Sequence, residues 1–406
     1  MSSTAVSPRT LSLFLGILLV IAVLGGVAAV ITVRSNDSGG SKTPTAGMIV
    51  SSTPITNAPA GSVGWRIVYT TTTASGEPAQ SSGTVYVPTS AAPSEGRFVV
   101  AWAHPTLGLG QDCTPSQASD PSTAIPGFAQ MIANGWAIAS TDYTGLGTEG
   151  TLPYLIGLGE AHNVIDSVRA ARNLPGTDAG STYGVWGHSQ GGHASLSTGE
   201  VATSYAPELR LVGVAAAAPA AELPALVQLQ WQQPESWIIG SEVITLWPQF
   251  YPQLQPNQIT TPLGLENASA VGAACITSNP AALIQQFGAL LLQPFFSVNP
   301  MTVPAWSNEL IANTPQPLTN VPVYVAQGLE DTTVPPSTTA LLDQQWCQQN
   351  SELTVQWFPT ATHFSVPAMA APSAMTWLSQ VFSGQSPGST CGQATPVAPA
   401  ANPTAS

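Results

Sequence analysis

The chain has 406 residues, 44% of them apolar and only 7% charged, with 8 basic against 21 acidic residues and a formal net charge of −13. No Lys or Arg follows Arg210, so the chain offers no basic surface for phosphate backbones, and a nucleic-acid partner is excluded. With both ends set aside, the remainder still exceeds the size at which one core stops growing, which suits one large domain carrying an insertion.

Leu11 to Val33 contains no charged residue. As a helix rising about 1.5 Å per residue it spans roughly 35 Å, enough to cross a bilayer. Arg9 and Arg34 flank the run, and Val27-Ala28-Ala29 makes a poor cleavage site. Residues 1–34 are therefore read as an uncleaved membrane anchor with the rest of the chain outside. A cleaved signal peptide and a secreted product is the alternative. Residues 35–60, rich in Ser, Gly, Thr and Pro without periodicity, read as a flexible linker.

From residue 61 strand and helix patterns alternate. Strand-like runs lie at 65–72, 83–87, 97–103, 135–140, 182–187, 209–217, 321–326 and 353–358, and helical patterns near 121–133, 159–173, 191–204, 336–348 and 366–382. In the clearest helix Ala161, Val164, Ile165, Val168 and Ala171 recur on one face, which places His162, Asp166, Arg169 and Arg172 outside. Such alternation predicts an α/β architecture, a mostly parallel sheet with helices on both faces. Residues 61–218 and 319–384 form its two parts.

The rhythm breaks over residues 219–318, after the sixth expected strand. This stretch holds Trp231, Trp237, Trp247 and Trp306, and its run Ala281 to Leu292 is apolar almost all round, which predicts a helix that is buried or faces lipid. An insertion here lies over the C-terminal ends of the strands, where ligands enter such sheets, and is read as a mainly helical cap. Residues 385–406 read as a disordered tail.

One pentapeptide carries chemistry. Gly187-His188-Ser189-Gln190-Gly191 follows a strand pattern and opens a helix. Strand, sharp turn and helix are what a nucleophile elbow needs, and Gly187 and Gly191 are expected because a side chain at either would strike the other arm of the turn. Asp331 follows an apolar strand, and His363 follows another. Ser, Asp and His in this order make a triad in which His363 takes the proton of Ser189 and Asp331 fixes the imidazole. Glu330 is the neighbouring carboxylate, expected to face the other side of the turn. Two donors must hold the oxyanion. Gln190 N–H at the helix start is one. The second is expected from the loop opening His104-Pro105-Thr106-Leu107-Gly108. Pro105 has no N–H, so Thr106 is the candidate, with Leu107 and Gly108 as alternatives. His104 is expected to brace this loop, His193 to be a packed core histidine, and Asp142 to order loops nearby.

Cys113, Cys275, Cys347 and Cys391 form an even set in a chain with a membrane-targeting segment, which points to two disulfides and an oxidising compartment, with three pairings open. No C-x-x-C spacing is present; neither a metal nor an organic cofactor is expected.

Taken together, Ala101-Trp102-Ala103-His104 with Thr106 and Gly108, Cys113-Thr114-Pro115-Ser116, Gly135-Trp136-Ala137, Thr141-Asp142-Tyr143 through Gly147, Pro153-Tyr154-Leu155 and Ser189-Gln190-Gly191-Gly192-His193 resemble the secretory lipases of the α/β-hydrolase fold, over roughly residues 60–384. The resemblance implies a triacylglycerol lipase or carboxylesterase with a large cap, and the pairs Cys113–Cys275 and Cys347–Cys391. The chain departs from the family in having Pro105 where Gly is usual. The function expected is an extracytoplasmic serine lipase or carboxylesterase acting on acyl esters of lipids. A short-chain esterase or acyltransferase for cell-envelope acyl groups is the first alternative, and a non-catalytic binding protein on the same fold is the second.

Overall fold

The computed structural model describes residues 45–276 and 281–403. The apolar run Leu11–Val33 and the first part of the expected linker lie outside these residues. Among the described residues no helix is long and apolar enough to cross a membrane.

In chain order the elements are β1 (Ile49–Pro54), β2 (Ser62–Thr72), β3 (Pro78–Pro88), β4 (Arg97–Ala103), α1 (Phe128–Ala133), β5 (Ala137–Thr141), α2 (Gly157–Asn173), β6 (Ala179–His188), α3 (Gln190–Tyr205) and β7 (Arg210–Ala217). The inserted helices follow as α4 (Leu223–Gln230), α5 (Glu235–Phe250), α6 (Pro262–Ala273), α7 (Ala281–Leu291) and α8 (Pro304–Ala312). The chain then returns through β8 (Val323–Gly328), α9 (Pro336–Gln348), β9 (Leu353–Phe358) and α10 (Val366–Phe382).

The strands form one sheet in the order β1-β2-β3-β5-β4-β6-β7-β8-β9. β1, β2 and β3 pair antiparallel, β3 joins β5 antiparallel, and every pairing from β5 to β9 is parallel. The period-two alternation of a strand sorts side chains between the two faces. In β4, Val99, Ala101 and Ala103 pack with α2 and α3, while Val100 and Trp102 pack with α1 and α10. Both faces are thus covered, which is why these strands read as continuous apolar runs.

The structure differs from expectation at β1, at the tail and on α2. Ile49–Pro54, inside the stretch read as linker, is an edge strand on β2. It carries no apolar alternation because most of its side chains are exposed and backbone pairing with β2 holds it, with only Ile49 packed against the core, so periodicity gives no signal for it. The tail is tied down: Cys391 is bonded to Cys347, Thr390 N–H donates to Leu353 O at 2.8 Å, and Ala400 N–H to Ser337 O at 2.8 Å. On α2, His162 and Asp166 are buried, not exposed. Asp166 accepts from Thr71 Oγ1 and Tyr205 OH, both at 2.7 Å, and His162 stacks on the Tyr205 ring. Polar groups of β2 and α3 close over that side, which helical periodicity cannot register.

The inserted helices pack on an aromatic centre of their own. Trp237, Trp247, Phe295 and Trp306 are fully buried there. Trp247 Nε1–H donates to Tyr154 O at 2.9 Å, and Leu109 N–H to Gly272 O at 2.7 Å. A Cys113–Cys275 disulfide closes the same seam. The apolar helix α7 differs from expectation: of its described side chains, Gln285, Gln286 and Ala289 are exposed, and Phe287, Leu290 and Leu291 only half-buried. The buried seats of the insertion are already filled by the tryptophans and Phe295.

Candidate active site

Because β4, β6, β8 and β9 run parallel, their C-terminal ends share one edge of the sheet, and the residues that follow them converge there. Ser189 follows β6 and caps α3 with φ 57° and ψ −116°. A non-glycine residue in such a region costs about 1–3 kcal/mol, so the surroundings must impose it. They do so through Ser189 N–H to Ala217 O (2.9 Å) and through Ser189 O, which accepts from His193 N–H (3.0 Å) and Ala220 N–H (3.1 Å). A Cβ at Gly187 would overlap Gly191 O, as expected. A Cβ at Gly191 would instead overlap Ala103 O, so that glycine is required by the end of β4 and not by the other arm of the turn.

Asp331 follows β8 and His363 follows β9. His363 Nε2 lies 3.0 Å from Ser189 Oγ, and Nδ1 lies 2.8 Å from Asp331 Oδ2. All three residues are buried. Asp331 Oδ1 accepts from Thr333 N–H (2.9 Å) and Val334 N–H (2.8 Å), which locks the carboxylate plane. Glu330 is exposed. A hydroxyl, an imidazole and a buried carboxylate so joined can pass a proton from the hydroxyl to the ring while the carboxylate fixes the tautomer.

The loop after β4 runs beside this relay. Thr106 lines the same cavity as Ser189 and Gln190, and its Oγ1 lies 3.0 Å from Tyr154 OH. Gln190 opens α3, where N–H groups lack intrahelical acceptors. A Cβ at Gly108 would strike Ala274 O, so this glycine is required by the Cys113–Cys275 seam. The ring nitrogens of His104 face the carbonyls of Pro105 (2.6 Å) and Asp142 (3.3 Å), which braces the loop. Asp142 accepts from Ser116 N–H (3.0 Å) and Ser82 Oγ–H (2.7 Å) and so orders the segment near Cys113.

His188 was not singled out from the sequence. Its Nε2 donates to His363 O at 3.0 Å. Burial and the neighbouring His363 ring push its pKa well below the usual range, so it is a neutral donor that steadies the His363 backbone. Its place beside Ser189 in the pentapeptide was the available signal.

Two spaces meet at Ser189. An inner cavity of about 100 Å³ runs into the insertion between Leu223, Val227, Ile239, Val243, Trp247 and Trp306. An outer cleft of about 520 Å³ opens past Trp102, His188, His363, Phe364 and Pro367. None of the described side chains of α7 lines either space.

The secretory lipase family model matches residues 123–277 and 302–390, more than half of the chain. The chain belongs to the secretory lipase family. A probable inactive lipase of Mycobacterium tuberculosis is 30% identical over 169 residues, 39% of this chain and 37% of that protein, so the match spans little more than a third of that relative. Lipase A of Arthroderma benhamiae is 21% identical over 346 residues, 79% of this chain and 71% of that one. The crystal structure of the rice cell wall degrading esterase from Xanthomonas oryzae superposes with a TM-score of 0.68 at 20% identity, covering 84% of this chain and 100% of that chain. The fold is the α/β-hydrolase fold of lipases and esterases. Membership of a secretory family and two disulfides suit an extracellular setting.

This secretory lipase family member also carries a buried polar cluster beside the elbow. Glu160 Oε1 accepts from Gln190 Nε2 (2.8 Å) and Leu155 N–H (3.0 Å), and Oε2 pairs with His193 Nδ1 (2.7 Å). His193 is therefore more than a packed core residue. Glu222, just before α4, is buried, and burial pushes its carboxyl up to about 7.

Proposed function

We propose that this chain is an extracytoplasmic serine ester hydrolase acting on lipid-type acyl esters. Ser189 Oγ attacks the ester carbonyl carbon as His363 Nε2 takes its proton. Asp331 holds the Nδ1–H and stabilises the imidazolium. The N–H groups of Gln190 and Thr106 hold the oxyanion. The C–O bond then breaks, His363 protonates the departing alcohol, and water, activated by the same ring, releases the acid and restores Ser189.

The observation that carries this reading is the unbroken Ser189–His363–Asp331 relay, at 3.0 and 2.8 Å, opening on an apolar cavity. That cavity favours medium or long acyl chains over acetate, since each buried CH₂ is worth about 0.8 kcal/mol. The Leu11–Val33 run anchors the enzyme in this reading, and an intact N-terminus on membrane-bound protein is the check.

Labelling with an alkyl fluorophosphonate tests the nucleophile. Wild type is expected to label and Ser189→Ala to remain unlabelled, with hydrolysis lost by about 10⁶ in kcat. A folded Ser189→Ala variant that keeps most activity overturns the mechanism. A wild-type preference for acetyl esters removes the lipase reading and leaves a short-chain esterase.

A further inference from the structure

The two spaces at Ser189 are chemically unequal. Gln190 lines the inner cavity, whereas His363 lines only the outer cleft. The imidazole hands its proton to the leaving oxygen, so the alcohol half of an ester must lie on the side where His363 is exposed. The acyl chain then takes the inner cavity and the alcohol the outer cleft.

Ser189, Thr106, Ile239, Thr333 and Glu235 line both spaces. Among the described residues Glu235 is the acidic residue at this seam, and no Lys or Arg lines either space. It begins α5 and is half-buried. Among the described residues its carboxylate has no salt bridge or side-chain hydrogen bond, although Arg169, by contrast, is paired twice. The outer cleft around it sets apolar side chains such as Trp102, Ile238 and Phe364 beside neutral polar ones such as Thr123 and Thr333. A carboxylate with no partner among the described residues, in a cleft whose described lining holds no cation, favours a group that donates hydrogen bonds or carries positive charge, and opposes an anion.

We propose that Glu235 is a specificity-determining residue that selects the leaving alcohol: hydroxyl-bearing neutral or cationic alcohols are accepted, and anionic ones, such as phosphate-bearing glycerol, are rejected. This rests on the serine-hydrolase reading above.

Three esters of one medium-length acyl chain test it, with choline, glycerol and glycerol phosphate as the alcohol. The readout is the ratio of kcat/KM values within each variant, which is independent of the fraction of folded enzyme. Wild type is expected to cleave the choline and glycerol esters faster than the glycerol phosphate ester. Glu235→Gln should raise the anionic-to-neutral ratio by about fivefold, the scale of a partly exposed charge interaction, and lower the cationic-to-neutral ratio similarly. Glu235→Asp, which keeps the charge, should retain the wild-type order, and high salt should shrink the discrimination. Unchanged ratios in Glu235→Gln overturn the proposal while leaving hydrolysis intact. If no ester is cleaved, or cleavage survives Ser189→Ala, the hydrolase reading itself fails.

Discussion

His193 on α3 and Glu160 on α2 form an ion pair at 2.7 Å in which neither side chain has exposed surface. The other ring nitrogen of His193 lies 2.7 Å from Asn313 O. Carboxylate and carbonyl both accept, so the ring must donate twice and is an imidazolium. Burial alone would lower its pKa; the Glu160 charge and hydrogen bond outweigh this and raise it. Glu160 also holds the Gln190 side chain, and Asn313 caps α8. The pair thus ties the turn bearing Ser189 to the inserted helices.

This pair makes stability depend on pH. The folded pKa of His193 lies above the unfolded value of about 6.5, so its contribution is complete below that pH and is lost as pH rises through the raised folded value. His193→Ala strands a buried carboxylate and should cost about 3–5 kcal/mol. Denaturant unfolding at pH 6 and pH 9 checks this: the gap between wild type and variant should narrow at the higher pH. A gap independent of pH contradicts an imidazolium at this position.

Asp331 and Glu330 are adjacent, yet one is buried against His363 and the other faces solvent. Asp331→Asn should therefore lower kcat by about 10⁴, as loss of the correct tautomer does in other triads. Glu330→Gln should leave kcat nearly untouched. Steady-state hydrolysis of one soluble ester by both variants decides; equal losses would mean that the acid has been misassigned.

Much of this arrangement was legible in the sequence, for physical reasons. Central strands such as β4 are covered on both faces and announce themselves as apolar runs, and Ser189 sits between glycines that the backbone crossing demands. Legibility failed where order comes from backbone pairing or polar contacts. β1 shows no alternation because its stability is borrowed from β2. A helical wheel places His162 and Asp166 outside because it treats any polar residue as outward-facing, whereas Thr71 and Tyr205 close over them. The Glu160–His193 pair joins residues 33 positions apart, and no spacing rule connects them.

Glu222 supplies a second pH dependence, again with a raised folded pKa. A carboxyl buried without a charge partner binds its proton more tightly in the folded state, and burial pushes it to about 7. Its effect on stability is absent below the unfolded value near ~4.3, grows unfavourable as pH rises from there, and is complete above the folded value of about 7. Glu222→Gln, which keeps the shape without the charge, should stabilise the protein at pH 8 by about 2 kcal/mol and change little at pH 4. Thermal unfolding of both proteins at the two pH values tests this, and equal Tm shifts would rule out the linkage.

The two disulfides should separate stability from activity. Cys113–Cys275 joins the segment after the β4 loop to the end of α6, beside Ile276 N–H, which donates to Leu107 O at 2.9 Å. Cys347–Cys391 only fastens the tail to α9. Replacing either pair by serine should cost roughly 2–4 kcal/mol. Only the loss of Cys113–Cys275 should also lower kcat, because it frees the loop that carries Thr106. Equal kcat in both double variants would show that the seam does not position that loop.

The inner cavity should set acyl length, and its lining indicates where to test this. Val243 on α5 is half-buried and faces the cavity, with Trp247 one turn further along the same helix. If acyl chains extend past Ser189 toward these residues, each methylene buried contributes about 0.8 kcal/mol, or about fourfold in kcat/KM. Val243→Trp would fill that space. It should leave a short-chain ester largely unaffected and reduce a long-chain ester by several such factors, shifting the optimum to shorter chains. α7 supplies the control. It is apolar, but Leu291 and its other described side chains lie outside the lining, so a charge placed there, as in Leu291→Asp, should not discriminate by chain length. Chain-length profiles of p-nitrophenyl esters for the three proteins distinguish the cases. A Val243→Trp profile that falls equally at all lengths would mean that the cavity does not hold the acyl chain, and a length-dependent loss in Leu291→Asp would place the chain under α7 instead.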